Sequence, residues 1–81
     1  MVLGSVTDLG LYSAFKNCTS LTSININNVT TIPDSAFNGC TSLVTVNSNS
    51  AIVIKNSAFY NCTSLQNIDL DNVTQVGQNS L

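Results

Sequence analysis

Three nearly identical words recur along the chain: AFKNCTSLTSI (Ala14 to Ile24), AFNGCTSLVTV (Ala36 to Val46) and AFYNCTSLQNI (Ala58 to Ile68). Their spacing is 22 residues at many positions at once, through Phe15, Phe37 and Phe59, Cys18, Cys40 and Cys62, and Leu21, Leu43 and Leu65. The frame continues between the words, where Ile24, Val46 and Ile68 align, then Ile26, Ser48 and Leu70, then Ile32, Ile54 and Val76. Ser48 is the one polar break in those rows. A fixed period of about 20–50 residues marks a stacked architecture, because one unit cannot bury its apolar face alone and successive units bury it for one another.

Within a unit, Leu-x-x-Ile-x-Ile, as in LTSINI from Leu21 to Ile26, puts apolar residues two apart over a short stretch. That is strand periodicity. After it, NNVTTIPDSAFNGC (Asn28 to Cys40) offers a turn, the apolar pair Val29 and Ile32, and Asp34 or Ser35 as an N-cap before Ala36 and Phe37. Asn38 and Gly39 close the segment, since both tolerate the left-handed conformation that ends a helical turn. Pro33 fits as loop punctuation, having no N–H to give to a ladder. The expected fold is a β-rich solenoid with parallel strands on one face and turns or single helical turns on the other. Phe15, Phe37 and Phe59 should stack along its interior, with Ala14, Ala36 and Ala58 permitting close approach at the turn.

With 81 residues the chain is expected to form one repeat domain over 1–81, about 3.5 units with partial units at both ends. Only 7% of residues are charged, two Lys against four Asp, for a net charge of -2. Nucleic-acid binding, which needs a basic stripe to neutralise phosphates, is excluded as a class. A hydrophobic content of 43% argues equally against disorder. The opening MVLGSVTDLG has no basic start and no sustained apolar run, so no signal peptide is expected there, and no segment is long enough for membrane insertion as a helix. If the natural protein is secreted, the chain is a mature product or an excised piece.

The unit VTTIPDSAFNGCTSLVTV (Val29 to Val46) resembles the BspA-like class of leucine-rich repeats, in which V-T-x-I-x-x-x-A-F-x-x-C-x-S-L-x-x-I recurs at about this length. The resemblance covers two complete units from about Val29 to Val73, a partial first unit from Val6 to Ile26 and a cut final one from Val73 to Leu81. VTDLGLYSAF (Val6 to Phe15) holds one residue more than the pattern, with Gly10 where the frame expects Ile, and Ala51-Ile52 replaces the Val-Thr pair in the middle copy. The resemblance implies a short leucine-rich-repeat array and a contact role. It also implies an extracellular or cell-surface location, because members are surface or secreted adhesion proteins that bind host matrix proteins. It carries over no catalytic residue, since the shared positions are the packing ones.

The sequence holds three Cys at equal intervals and no His, so it lacks the four close-spaced ligands of a structural zinc site, and no metal or cofactor is expected. Disulfides between coils suit neither the odd count nor ladder geometry. Buried free thiols packed as small hydrophobes are the expected state. Asn17, Asn28, Asn61 and Asn72 each begin an N-x-Thr match, which an Asn-rich repeat generates by composition alone. Asp69 and Asp71 are too few oxygens for calcium. The column Thr19, Thr41 and Thr63 lacks the second matching row of a regular hydroxyl array. With no His, no Glu and no acid pair placed in a pocket, the protein is not expected to be an enzyme.

The residues expected to face outward from the strands are Ser23, Thr45 and Asn67, then Asn25, Asn47 and Asp69. Asn27, Asn49 and Asp71 lie at their edge, with Thr22, Val44 and Gln66 beside them. They form either a shallow recognition surface for a protein or glycan ligand or a polar coat that keeps a sheet soluble. Neither terminus reads as a polar cap: Val2 falls in the frame of Ile24, and Leu81 in the frame of the three Phe. Open solenoid ends predict head-to-tail self-association through Val2 and Leu81, building filaments where the contact does not close. Two readings therefore stand beside each other, a binding module and a self-assembling structural protein.

Overall fold

The structure, a computed structural model, describes residues 15–81. Val2, Gly10 and Ala14, which the sequence frame assigns to an assembly end, a departure and a tight turn, lie outside the described residues. Six short strands follow in sequence order: β1 (Ser23–Asn25), β2 (Thr31–Ile32), β3 (Thr45–Asn47), β4 (Val53–Ile54), β5 (Asn67–Ile68) and β6 (Gln75–Val76). Each coil contributes two of them, so the strands form two separate parallel sheets, β1-β3-β5 and β2-β4-β6.

Register follows the repeat. Ser23 pairs with Thr45 and Thr45 with Asn67, Ile24 with Val46 and Val46 with Ile68, each partner 22 residues on. In the second sheet Ile32 pairs with Ile54 and Ile54 with Val76. Strand alternation turns one set inward: Ile24 and Val46 are buried between exposed or half-exposed neighbours. A one-residue slip would carry every Ile and Val of a strand to the solvent side, which is why the apolar frame sets the register.

The sequence expectation of turns or single helical turns resolves to turns, because no helix occurs among the described residues. Successive i to i+3 bonds do form, with Ala36 N–H donating to the Pro33 carbonyl at 3.2 Å, Asn38 to Ser35 at 3.1 Å and Cys40 to Phe37 at 3.1 Å. They cannot wind into a helix because left-handed residues interrupt them, at two positions in each of the two coils described in full. Ser35 has φ 58°, Ser57 58° and Asn79 54°, while Asn17 has 61°, Gly39 81° and Asn61 63°. Ser35 is therefore a turn residue and not an N-cap, and of the pair Asn38-Gly39 only Gly39 is left-handed.

The segment freed from helix formation pairs with its neighbours instead. Phe15 N–H donates to the Ala36 carbonyl at 2.8 Å, Phe37 to Ala58 at 2.7 Å and Phe59 to Ser80 at 2.9 Å, with Asn17 to Asn38 and Gly39 to Tyr60 at 2.7 and 2.8 Å between them. These bonds form a third run along the solenoid, so backbone groups on every side of a coil find partners in the next. Ala36 and Ala58 supply acceptor carbonyls to that run and are fully buried.

The core lies between the three runs. Ile24, Ile26, Val29, Ile32, Phe37, Leu43, Val46 and Ile54 are all buried, and each of these residues contributes about 1.5–3 kcal/mol by leaving water. Phe15, Phe37 and Phe59 form the expected stack, with ring centroids 5.4 and 5.2 Å apart and planes within 2° and 3° of parallel. Those separations lie within the range over which stacked aromatic pairs attract one another. Ser48, the polar break, is buried and satisfied: its hydroxyl donates to the Asp69 carbonyl of the next coil at 3.0 Å. Ala51 takes the buried position of Val29, and Ile52, replacing a Thr, stays exposed.

Candidate ligand-binding face

The outward residues of the first sheet stand in rows across the coils, since parallel pairing places Ser23 beside Thr45 beside Asn67 and Asn25 beside Asn47. Neighbouring rungs of such a sheet are about 4.8 Å apart. Ser23, Asn47 and Asn67 are exposed, and Asn25, Thr45 and Asp69 are half-buried. The difference within the second row has a local cause. Asn25 Oδ1 accepts the backbone N–H of Asn27 at 3.1 Å, and Asp69 Oδ1 accepts that of Asp71 at 3.0 Å. Both side chains fold back over the turn that follows their strand, the usual role of Asn and Asp in an Asx turn.

The rim is a ladder of amides. Asn27 Oδ1 accepts from the Asn49 backbone N–H at 3.3 Å, and Asn72 Nδ2 donates to the Asn49 carbonyl at 2.6 Å. A second ladder runs beyond the other sheet, where Asp34 Oδ1 accepts from Asn56 N–H at 3.0 Å and Asn56 Oδ1 from Gln78 N–H at 2.9 Å. The amide and hydroxyl side chains thus divide between joining coils and meeting solvent. Thr45, Asn47 and Asn67 belong to the second group, so they are the centre of any contact surface on this face.

Two features had no counterpart in the sequence pattern. A shallow groove of about 380 Å³ crosses three coils beside the second sheet, lined by Asp34, Val53, Lys55, Asn56, Gln75 and Val76. Only the second-sheet register brings these residues together. The thiols also have a specific partner: Cys40 Sγ donates to the Phe15 carbonyl and Cys62 Sγ to the Phe37 carbonyl, each at 3.1 Å. All three Cys are free, Cys40 buried and Cys18 and Cys62 half-buried. Burial pushes the Cys40 thiol above its ordinary value and the Cys62 thiol up to about 11. Protonated thiols at these positions donate hydrogen bonds and are poor nucleophiles.

Among the described residues no three metal-ligating side chains converge. Thr19, Thr41 and Thr63 are all exposed, on the turn that follows the Cys.

A comparison with curated proteins gives no match. Among solved structures, the T. pallidum leucine-rich repeat protein superposes with a TM-score of 0.82 at 29% sequence identity, over 98% of this chain and 41% of that one. The chain thus spans about two fifths of that protein's length. The family profile of the BspA type leucine rich repeat region matches residues 5–81. The repeat word, the inter-coil register and the solenoid shared with a known leucine-rich repeat protein all meet in that match, and the chain belongs to the BspA-type leucine-rich repeat family.

Proposed function

We propose that the chain is a protein-binding module whose recognition surface is the outward face of the β1-β3-β5 sheet, carried on an adhesion-type protein at the cell surface or outside the cell. Repeats of this family generally mediate protein interactions, are typically surface-associated and are typically not enzymes. No helix among the described residues is long and apolar enough to cross a membrane. The observation that carries the reading is the outward set on the first sheet, with Thr45 in register with Asn67 and Asn47 two residues along β3 from Thr45, which holds hydroxyl and amide groups at fixed spacing. A preorganised array of this kind binds without first ordering itself, which removes an entropic cost from association. We read the chain as a single repeat domain over 1–81, a reading supported by the in-register pairing of each described strand with its equivalent in the next coil. A polypeptide is the favoured ligand, and a glycan is the alternative that the same polar groups would accept.

The test is solid-phase binding to a panel of extracellular matrix proteins and glycans, comparing the wild type with the double variant Thr45→Arg, Asn47→Arg. Both positions face outward, so circular dichroism should be unchanged while binding falls at least about tenfold. Equal binding by the variant, or no binding by the wild type to any member of the panel, sinks the assignment.

A second reading is head-to-tail self-association of the isolated chain. Val76 and Leu81 are 55% and 60% exposed at positions whose equivalents, Ile54 and Phe59, are buried. In a longer array the next coil covers these residues; in the isolated chain a second copy does. Sedimentation over a concentration series separates the two, with a mass independent of concentration ruling out assembly through this end.

A further inference from the structure

Asn38-Gly39 is the one Asn-Gly pair in the sequence, and its peptide group joins three coils. The Asn38 carbonyl accepts the Asn17 N–H of the preceding coil at 2.7 Å, while the Gly39 N–H donates to the Tyr60 carbonyl of the following coil at 2.8 Å. Gly39 is buried and Asn38 half-buried. The turn itself does not require this pair, because Asn17 and Asn61 hold the same left-handed position in the other coils.

We propose that Asn38-Gly39 is a latent deamidation site, closed while the coils are stacked and opened when they separate. The chemistry is that of an amide attacking an amide. A base removes the Gly39 N–H proton, and the nitrogen forms a bond to Asn38 Cγ. The bond from Cγ to Nδ2 breaks, and that nitrogen leaves as ammonia, giving a succinimide. Water then opens the ring, at the Cγ carbonyl to give Asp or at the backbone carbonyl to give isoaspartate. The proton taken by the base is returned to the departing nitrogen, and the net change is amide plus water to carboxylate plus ammonium.

In the stacked solenoid the nucleophilic nitrogen is screened from base and its proton is committed to Tyr60, so the first step requires loss of that bond. Coil separation exposes it, and the reaction rate then follows the population of the opened state. The consequence is one-way. Isoaspartate adds a backbone carbon at the peptide that bonds to both neighbouring coils, so the carbonyl and the N–H can no longer meet Asn17 and Tyr60 together. The modified protein keeps a chemical record of having come apart.

The test uses the 81-residue wild type in mildly alkaline buffer across a urea series, with circular dichroism on each sample and peptide mass mapping over time. A short peptide carrying the Asn38-Gly39 sequence, which has no coils to stack, is the control. Expected at Asn38 is a rate in buffer at least about a hundredfold below that in full denaturant, rising with the unfolded fraction. The peptide should change by less than about threefold over the same urea series, having no closed state to open. The isoaspartate species, purified and returned to buffer, should unfold at a lower urea midpoint than both the unmodified protein and Asn38→Asp, which adds the charge without the extra backbone atom. An Asn38 rate in buffer within about tenfold of the denatured rate overturns the gating. So does a sample that shows no sheet signal in buffer, and an unchanged midpoint of the isoaspartate species overturns the one-way consequence.

Discussion

Phe37 is where the stacking of coils is most open to measurement. Its ring is fully buried and lies between Phe15 and Phe59 at 5.4 and 5.2 Å. Truncating a buried Phe to Ala costs about 3–5 kcal/mol. Phe37 also loses two ring pairs, each worth about 0.5–1.5 kcal/mol, which places it at the upper end of that range. A domain of this size has about 4–12 kcal/mol in total. With a urea slope of roughly 1 kcal/mol/M, Phe37→Ala should lower the urea midpoint by about 5 M, which unfolds the protein in buffer when its total stability is at the lower end of that range.

A graded variant keeps the measurement quantitative. Phe37→Leu retains most of the apolar volume but neither ring contact, and should cost about 1–2 kcal/mol, moving the urea midpoint by roughly 1–2 M. The comparison is Phe15→Leu, where the ring is half-buried and stacks on one partner among the described residues, so the loss should be about half as large. The assay is urea unfolding followed by circular dichroism for the wild type and both variants. Equal midpoint shifts at 15 and 37 would refute the claim that the central ring couples the coils on either side of it.

Two further perturbations test the inter-coil contacts. Because burial raises the Cys62 thiol from 9.0 to about 11, the folded state favours the protonated form, and the stability this contributes is fully present below 9.0 and lost as pH rises through about 11. Urea midpoints should therefore be flat below that window and fall across it, a fall that Cys62→Ala should reduce; a midpoint that rises there contradicts the assignment. At Gly77 an added Cβ would lie 2.5 Å from Asn56 Oδ1, 2.7 Å from Asn56 N and 2.8 Å from the Lys55 carbonyl carbon. Two of these atoms are backbone, so Gly77→Ala should displace the last coil and cost roughly 1–3 kcal/mol as overpacking does, measured as a drop in urea midpoint; an unchanged midpoint would show that the last coil packs less closely.

The period, the phase and the inward set were readable in the residues because they are one-dimensional facts: a 22-residue frame with alternation inside it can bury Ile24, Val46 and Phe37 in only one way. Parallel pairing at that frame, the Phe stack and the free thiols follow from the same repetition. The second sheet was not readable, since strands of two residues carry no alternation and exist only through bonds to residues 22 positions away. The left-handed Ser35 and Ser57 were hidden for a related reason, as their conformation is imposed by the inter-coil bonds that replace a helical turn. A Ser at 35 and 57 with Asn at 79, each following a polar residue, was the available sign.

On the candidate face, the outward rows came from the strand period, but composition could not say which side chains were already engaged. Asn25, Asn47 and Asp69 are equivalent in the frame, yet Asn25 and Asp69 close Asx turns while Asn47 lies exposed. The groove at Asp34, Lys55 and Gln75 likewise required residues from three coils to be set side by side. A repeat in sequence determines which positions are equivalent and which must leave water. How each polar side chain divides its hydrogen bonds among its own turn, the next coil and the solvent is decided by distances that exist only once the coils are stacked.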